Sequence, residues 1–243
     1  MIQAYLFDLY GTLVDIRTNE AKPSLWKRLA LLYGLKGAAY STIEIRRAYH
    51  MAVQGEIDAL AKHHPQVARE EIEPDILRVF QALYEAKGVF PTEQTLLDTA
   101  VTFRALSLEH LALYPGAIEV LTELRSRGKG VYLLSNAQAA FTEPELSMLG
   151  LTPRFDGIVL SSQVGRKKPA RAMFSYLLST YGLDPAACMM VGNDAVADVQ
   201  GAAGAGMSSR YLHTKQSPDP PASLPDSCRR IDSLWDLISR SIG

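Results

Sequence analysis

Five short apolar runs, at residues 3–9, 130–134, 158–160, 188–191 and 210–212, read as strands buried on both faces. Between them the apolar positions take up a helical period. Residues 117–127 carry apolar side chains three and four apart and are followed by Gly128, while 170–181 start beside Pro169 and stop before Gly182. Strands alternating with helices predict an α/β fold with a doubly wound, Rossmann-like parallel sheet. Residues 15–107 interrupt that alternation with helical periodicity throughout and no segment that reads as a strand. Within them Ser41-Thr42-Ile43-Glu44 has capping-box spacing ahead of Ile45, Ala48, Tyr49 and Ala52, and 74–87 and 92–110 read as two further helices. The pattern divides the chain into a core, residues 1–14 and 108–243, and a second, smaller, all-helical module, residues 15–107. A proline-rich loop at 217–225 precedes a last short helix around 234–238.

A chain of 243 residues with 47% hydrophobic content has enough apolar surface for a core with an inserted module. Its 25 basic and 26 acidic residues leave a net charge of −1, with no long basic run. Neither nucleic acid nor an anionic membrane is therefore an expected partner, and a small soluble substrate is. No window approaches the ~20 apolar residues of a membrane span and no leader pattern opens the chain, so the expected location is cytoplasmic. Cys188 and Cys228 make neither a disulfide framework nor a zinc site. His50, His63, His64, His110 and His213 lack metal-ligand spacing, and the glycines at 201, 204 and 206 lack that of a dinucleotide loop. Nothing in the sequence indicates an oligomeric state.

In an open parallel sheet, ligands bind beyond the carboxyl ends of the strands. Polar residues follow the apolar runs there four times: Asp8 after the first, Ser135 and Asn136 after the second, Lys168 beyond the third, and Asn193, Asp194 and Asp198 after the fourth. A lone aspartate at a strand end is ordinarily a turn or capping residue, and a lone lysine before a proline is ordinarily solvated. Together they make a chemical set: an acid able to attack an electrophile, a hydroxyl, a cation and an acidic cluster.

These segments resemble, in order and placement, the four motifs of the haloacid dehalogenase superfamily, over roughly residues 1–14 and 108–215. The resemblance implies that the helical module is a mobile cap over the site. It further implies that Asp8 is a nucleophile forming a covalent aspartyl intermediate, with Tyr10, Ser135, Asn136 and Lys168 as its catalytic neighbours. Gly11, Thr12, Ser135, Asn136 and Lys168 would bind the substrate, and Lys168 would neutralise the charge on Asp8 and a phosphate. Mg²⁺ is the implied cofactor, with Asp8, the Tyr10 carbonyl, Asn193, Asp194 and Asp198 as candidate ligands. Asn193 stands where many relatives carry the first aspartate, so Asp194 is the preferred ligand. Asp198 is a candidate for holding a metal-bound water or for orienting Lys168.

Tyr10 departs from the phosphatase pattern, in which a second aspartate protonates the leaving group and activates water. A tyrosine, with an ordinary pKa of ~10, is a poor base at neutral pH. Leu9-Tyr10-Gly11-Thr12 instead resembles the dehalogenase branch, which needs no metal, whereas the acidic fourth motif invites a cation. Leu25-Trp26-Lys27-Arg28 only loosely echoes that branch's halide-accepting arginine. Periodicity alone does not choose between a site-facing and a solvent-facing placement for Arg46, Arg47 and Tyr49. The sequence thus reads as an aspartate-nucleophile hydrolase, foremost a Mg²⁺-dependent phosphatase of a small phosphorylated metabolite. The alternatives are a metal-independent 2-haloacid dehalogenase and a weakly active relative that binds a phosphorylated ligand.

Overall fold

The computed structural model describes residues 1–239. At its centre β1 (Ala4–Phe7) pairs on one side with β4 (Gly130–Ser135) and on the other with β6 (Cys188–Gly192). With β5 (Gly157–Leu160), β7 (Ser208–Leu212) and β8 (Cys228–Ile231) they form a six-stranded sheet of order β5-β4-β1-β6-β7-β8, parallel throughout. Adjacent residues on each central strand point to opposite faces. Phe7, Leu133 and Val191 pack with α5 (Ala117–Ser126) and α6 (Ala139–Met148) on one side. Leu6, Leu134 and Met190 pack with α8 (Arg171–Tyr181) and α9 (Gly201–Gly204) on the other. Burial on both faces explains why these strands are continuous apolar runs. A single helical turn, α7 (Ser161–Val164), follows β5. The short helix expected near 234–238 is a 3₁₀ turn, Leu234–Leu237.

The inserted segment contributes α1 (Pro23–Leu35), α2 (Thr42–His63), α3 (Ile76–Glu85) and α4 (Glu93–Ser107), gathered around an aromatic cluster of Trp26, Tyr33, Tyr49, Phe80, Tyr84 and Phe103. The capping box opens α2 as expected: Glu44 N donates to Ser41 Oγ at 3.2 Å and Ser41 N to Glu44 Oε2 at 2.7 Å. The expectation of a module without strands over 15–107 is corrected at its first residues, which belong to a strand. β2 (Val14–Thr18) and β3 (Leu108–Leu113) form an antiparallel ribbon with Val14 opposite Leu113, and the helix expected over 92–110 stops at Ser107. Each strand alternates over few residues and pairs only with the other, far along the chain, so neither has a local signal. Among the described residues no helix is long and apolar enough to cross a membrane.

Besides this ribbon, two joints hold the helices to the sheet domain. Arg104 of α4, half-buried, forms an ion pair with the buried Glu145 of α6, Nε to Oε1 at 2.6 Å, while Phe103 stacks on Phe141 at 6.0 Å between centroids. The loop before α3 docks on the loop before Lys168: Lys167 N donates to Glu71 O at 2.7 Å and Glu73 N to Gly165 O at 3.2 Å. A buried pair is costly to break because the surviving charge is left without its partner. Arg104→Ala is therefore expected to cost about 3–5 kcal/mol in urea unfolding, and the double change Arg104→Leu with Glu145→Leu to recover most of that loss.

Candidate active site

Strand register decides where the polar residues fall. Phe7 lies opposite Leu133 on one side and Val191 on the other, so the next residue, Asp8, falls level with Leu134 and Gly192, one residue before Ser135 and Asn193. Asp8 N donates to Val191 O at 2.9 Å, extending the ladder by one residue. The chain then turns sharply, with the N–H groups of Thr12, Leu13 and Val14 all directed to Leu9 O at 2.9–3.2 Å. Gly11 serves this turn twice. Its φ is +87°, and a Cβ would collide with the Asn193 amide.

Lys168 is the centre of the site. Its buried ammonium donates to Asp8 Oδ1 at 2.8 Å, Asp198 Oδ1 at 2.6 Å and Leu134 O at 2.7 Å, which uses all three of its hydrogens. Burial alone would lower the Lys168 pKa, but the charges of Asp198 and Asp8 outweigh it and hold the group above the ordinary lysine value. Burial, with Asp8 adding to it, pushes the Asp198 carboxyl up against the pull of Lys168. Asn136 grips the backbone of Lys168, donating from Nδ2 to its carbonyl at 3.0 Å and accepting its N–H on Oδ1 at 2.7 Å. Ser135 Oγ donates to Asp8 Oδ1 at 3.1 Å.

After β6, the Asp194 carboxylate accepts from Val196 N at 2.8 Å and Ala197 N at 2.9 Å through Oδ1, capping the π-helical turn Ala195–Gln200. Asp198 folds back so that its Oδ2 accepts from Asp194 N at 3.0 Å. A Cβ on Gly192 would lie against that carboxylate, so the close approach needs glycine. Asp8, Ser135, Asn136, Lys168, Asn193, Asp194 and Asp198 line one cleft of about 180 Å³, with Tyr10, Ala197, Gln216 and Pro218. Gly11 and Thr12 do not line it. Thr12 lies behind, with Oγ1 3.2 Å from Asn193 Oδ1 and 3.4 Å from Asp8 Oδ2.

Tyr10 borders the cleft, but its hydroxyl points to α6, donating to Glu145 Oε2 at 2.5 Å and lying 2.9 Å from Thr142 Oγ1. Burial first, and then the charge of Glu145, raise the phenol above its ordinary pKa. The Arg104 guanidinium covers the Tyr10 ring at 5.6 Å and the Phe141 ring at 5.3 Å. Arg104 and Glu145 had one sequence signal: Arg104 lies four residues after Ala100, beside the buried stripe of Ala100, Phe103 and Ser107, where a charge needs a partner. Gln216 Nε2 donates to Asp15 Oδ1 at 2.6 Å and Ile16 O at 2.5 Å, and Thr214 Oγ1 to Gly11 O at 2.9 Å. These bonds fasten the loop after β7 over the Asp8 turn. Lys27 and Arg28 are exposed on α1, Tyr49 is buried among the cap helices, and Arg46 and Arg47 line a separate groove with Trp26 and His50.

The cleft suits a hard cation by its chemistry. Three carboxylates, Asp8, Asp194 and Asp198, face one ammonium, and the lining side chains offer a metal oxygen donors only, since the nitrogens of Asn136, Lys168, Asn193 and Gln216 carry hydrogens. Asp198 has both oxygens engaged, and no group of three or more His, Cys, Asp or Glu forms a metal cluster among the described residues. The Oδ2 atoms of Asp8 and Asp194 are the freer carboxylate positions, with the Asn193 amide and the Tyr10 carbonyl as neutral oxygens.

Residues 2–206 match the model of the haloacid dehalogenase-like hydrolases. The chain is 31% identical to the ribulose-1,5-bisphosphate 5-phosphatase of Halopiger xanaduensis over 98% of both chains. It is 32% identical to the phosphoserine phosphatase of Thermus thermophilus over 66% of this chain and 63% of that one. Among solved structures, a HAD phosphatase from Thermococcus onnurineus is 22% identical with a TM-score of 0.57, covering 97% of this chain and 96% of its own. The L-2-haloacid dehalogenase of Xanthobacter autotrophicus is 21% identical with a TM-score of 0.56 over the full length of both. At such identities these two structures share the fold and leave the reaction open. With the family model covering β1 to β6 of the chain and the helices between them, the chain belongs to the haloacid dehalogenase-like hydrolases.

Proposed function

We propose that this hydrolase is a Mg²⁺-dependent phosphatase of a small phosphorylated metabolite, with Asp8 as its nucleophile. The observation that carries the reading is a carboxylate fixed by Lys168 and Ser135 in a cleft with an excess of negative charge. Relatives at 31% and 32% identity are named as phosphatases, which supports the same conclusion.

The residues divide the work by position. Asp8 Oδ1 is occupied by Lys168 and Ser135, so Oδ2 is the attacking atom. It forms a bond to phosphorus as the bond from phosphorus to the leaving oxygen breaks, giving an aspartyl-phosphate and an alkoxide that takes a proton from solvent water. Water then attacks phosphorus as the bond from phosphorus to Asp8 Oδ2 breaks, releasing inorganic phosphate, restoring the carboxylate and returning a proton to solvent. Lys168 offsets the repulsion between Asp8 and the phosphate, and Ser135 stands ready to donate to a phosphoryl oxygen. Asp198 and Asn136 keep Lys168 in place through its head and its backbone. When bound by Asp8 and Asp194, with Asn193 and the Tyr10 carbonyl, Mg²⁺ supplies further positive charge against the phosphoryl oxygens.

Tyr10 does not replace the second aspartate in this scheme. Its raised pKa and its bond to Glu145 leave it a protonated donor facing away from Asp8. Hydrolysis of the intermediate then lacks a positioned base. A second reading, hydrolytic removal of halide from a short 2-haloacid, draws on Tyr10 alone; halide release unaffected by chelator would replace the phosphatase reading.

In steady-state assays with Mg²⁺ and a panel of phosphate esters, Asp8→Asn should lower turnover by more than about a thousandfold, and chelator should abolish the wild-type activity. Turnover that survives either treatment would reject the reading. Rapid quench of the wild type should show a burst of covalent phosphoenzyme followed by a slower steady state. Tyr10→Phe should leave kcat within about threefold while costing about 1 kcal/mol of stability through the lost bond to Glu145. A large fall in kcat would show that the phenol takes part in the chemistry.

A further inference from the structure

Next to the Asp8 cleft lies a second chamber of about 350 Å³, and Tyr10 and Asn136 border both. Its charged lining residues are Glu73, from the loop before α3, and Arg104, from α4. The two sit at different places along α6. Glu73 bonds to Gln138, the residue before the helix, and Arg104 to Glu145, seven positions on, a rise of roughly 10 Å along the axis.

The two charges are not equally available. Arg104 is paired through Nε to Glu145 Oε1 at 2.6 Å, with a longer contact from Nη2 to Oε2 at 3.4 Å, and Glu20 also acts on it. Its charge is cancelled inside the protein. Glu73 has no such partner in the lining. Its Oε1 accepts from Gln138 Nε2 and its Oε2 from Ser161 Oγ, both at 2.6 Å, and both donors are neutral. A carboxylate offers about four lone-pair sites, so two neutral donors fix its orientation and leave capacity for more. Lys167 acts on Glu73 without lining the chamber, and burial, the dominant influence, raises the Glu73 pKa. With Arg104 paired to Glu145, the Glu73 carboxyl is the acidic group the chamber presents, and its oxygens are acceptors with capacity to spare.

We propose that Glu73 sets the leaving-group preference of the site. It favours phosphate monoesters whose alcohol carries an ammonium or hydroxyl donors, and disfavours those whose alcohol carries a carboxylate or a second phosphate. The proposal rests on the phosphatase reading. An ammonium is attracted to Glu73 as a hydroxyl is by hydrogen bonding, whereas a second anion meets like charge in a partly desolvated space.

The test compares kcat/KM for phosphoethanolamine, glycerol 3-phosphate and phosphoglycolate in the wild type and in Glu73→Gln, with Mg²⁺ present and p-nitrophenyl phosphate as reference. The wild type should rank the cationic above the neutral above the anionic ester, with at least about tenfold between the extremes. Glu73→Gln should shrink that span to within about threefold. Because the span is a ratio within each protein, it is insensitive to the fraction folded, and Glu73→Asp, which keeps the charge, should retain the wild-type order. A wild type that prefers phosphoglycolate, or a span unchanged in Glu73→Gln, overturns the role of Glu73 while leaving the phosphatase reading intact. Failure of every ester, p-nitrophenyl phosphate included, overturns that reading and this proposal with it.

Discussion

A buried ammonium organises this molecule. Lys168 donates once each to Asp8, Asp198 and the Leu134 carbonyl, joining the ends of β1, β4 and β6 at one point. Moving a charge out of water costs several kcal/mol unless each hydrogen finds a good acceptor. Here that condition is met only if three strands end in register and the loop after β5 returns beneath them. The sheet order provides it, because placing β1 between β4 and β6 makes their carboxyl ends neighbours. The geometry of the site and the stability of the sheet's end therefore rest on the same bonds. Any change that loosens Lys168 acts on both.

The parts of the fold legible in the sequence are those whose partners impose a local pattern. The central strands are buried on both faces and show as apolar runs, and Ser41 with Glu44 announces α2. α6 escapes notice for a physical reason: its buried residues are Phe141, Thr142, Glu145 and Leu146, half of them polar, and Pro144 lies inside it. An apolar period does not register there. β8 is an edge strand whose two middle residues are exposed arginines, and β2 and β3 acquire meaning only from each other.

The same distinction governs the site. Asp8, Ser135, Lys168 and Asp194 each follow a readable strand, so topology alone predicts their meeting. Arg104, Glu145 and Glu73 do not follow strands. Glu145 is 41 residues from Arg104 and Gln138 is 65 from Glu73, and nothing near either acid in sequence indicates the pairing. Only the docking of the cap helices against α6 creates those bonds.

Two differently built halves result. The half around Asp8 is rigid in its logic: each polar atom of Lys168 and Asp198 has a partner, so a substitution there leaves a buried group unsatisfied. The half around Tyr10 is held from the cap side. The Tyr10 phenol is long enough to reach Glu145 and donates to it, while Arg104 pairs with the same carboxylate and covers the ring. An aspartate at position 10 would end a ring's length nearer the backbone, so its carboxylate would neither reach Glu145 nor fill the space beneath Arg104. The residue at position 10 is thus tied, through a bond and a packed ring, to the ion pair joining the inserted helices and the sheet domain.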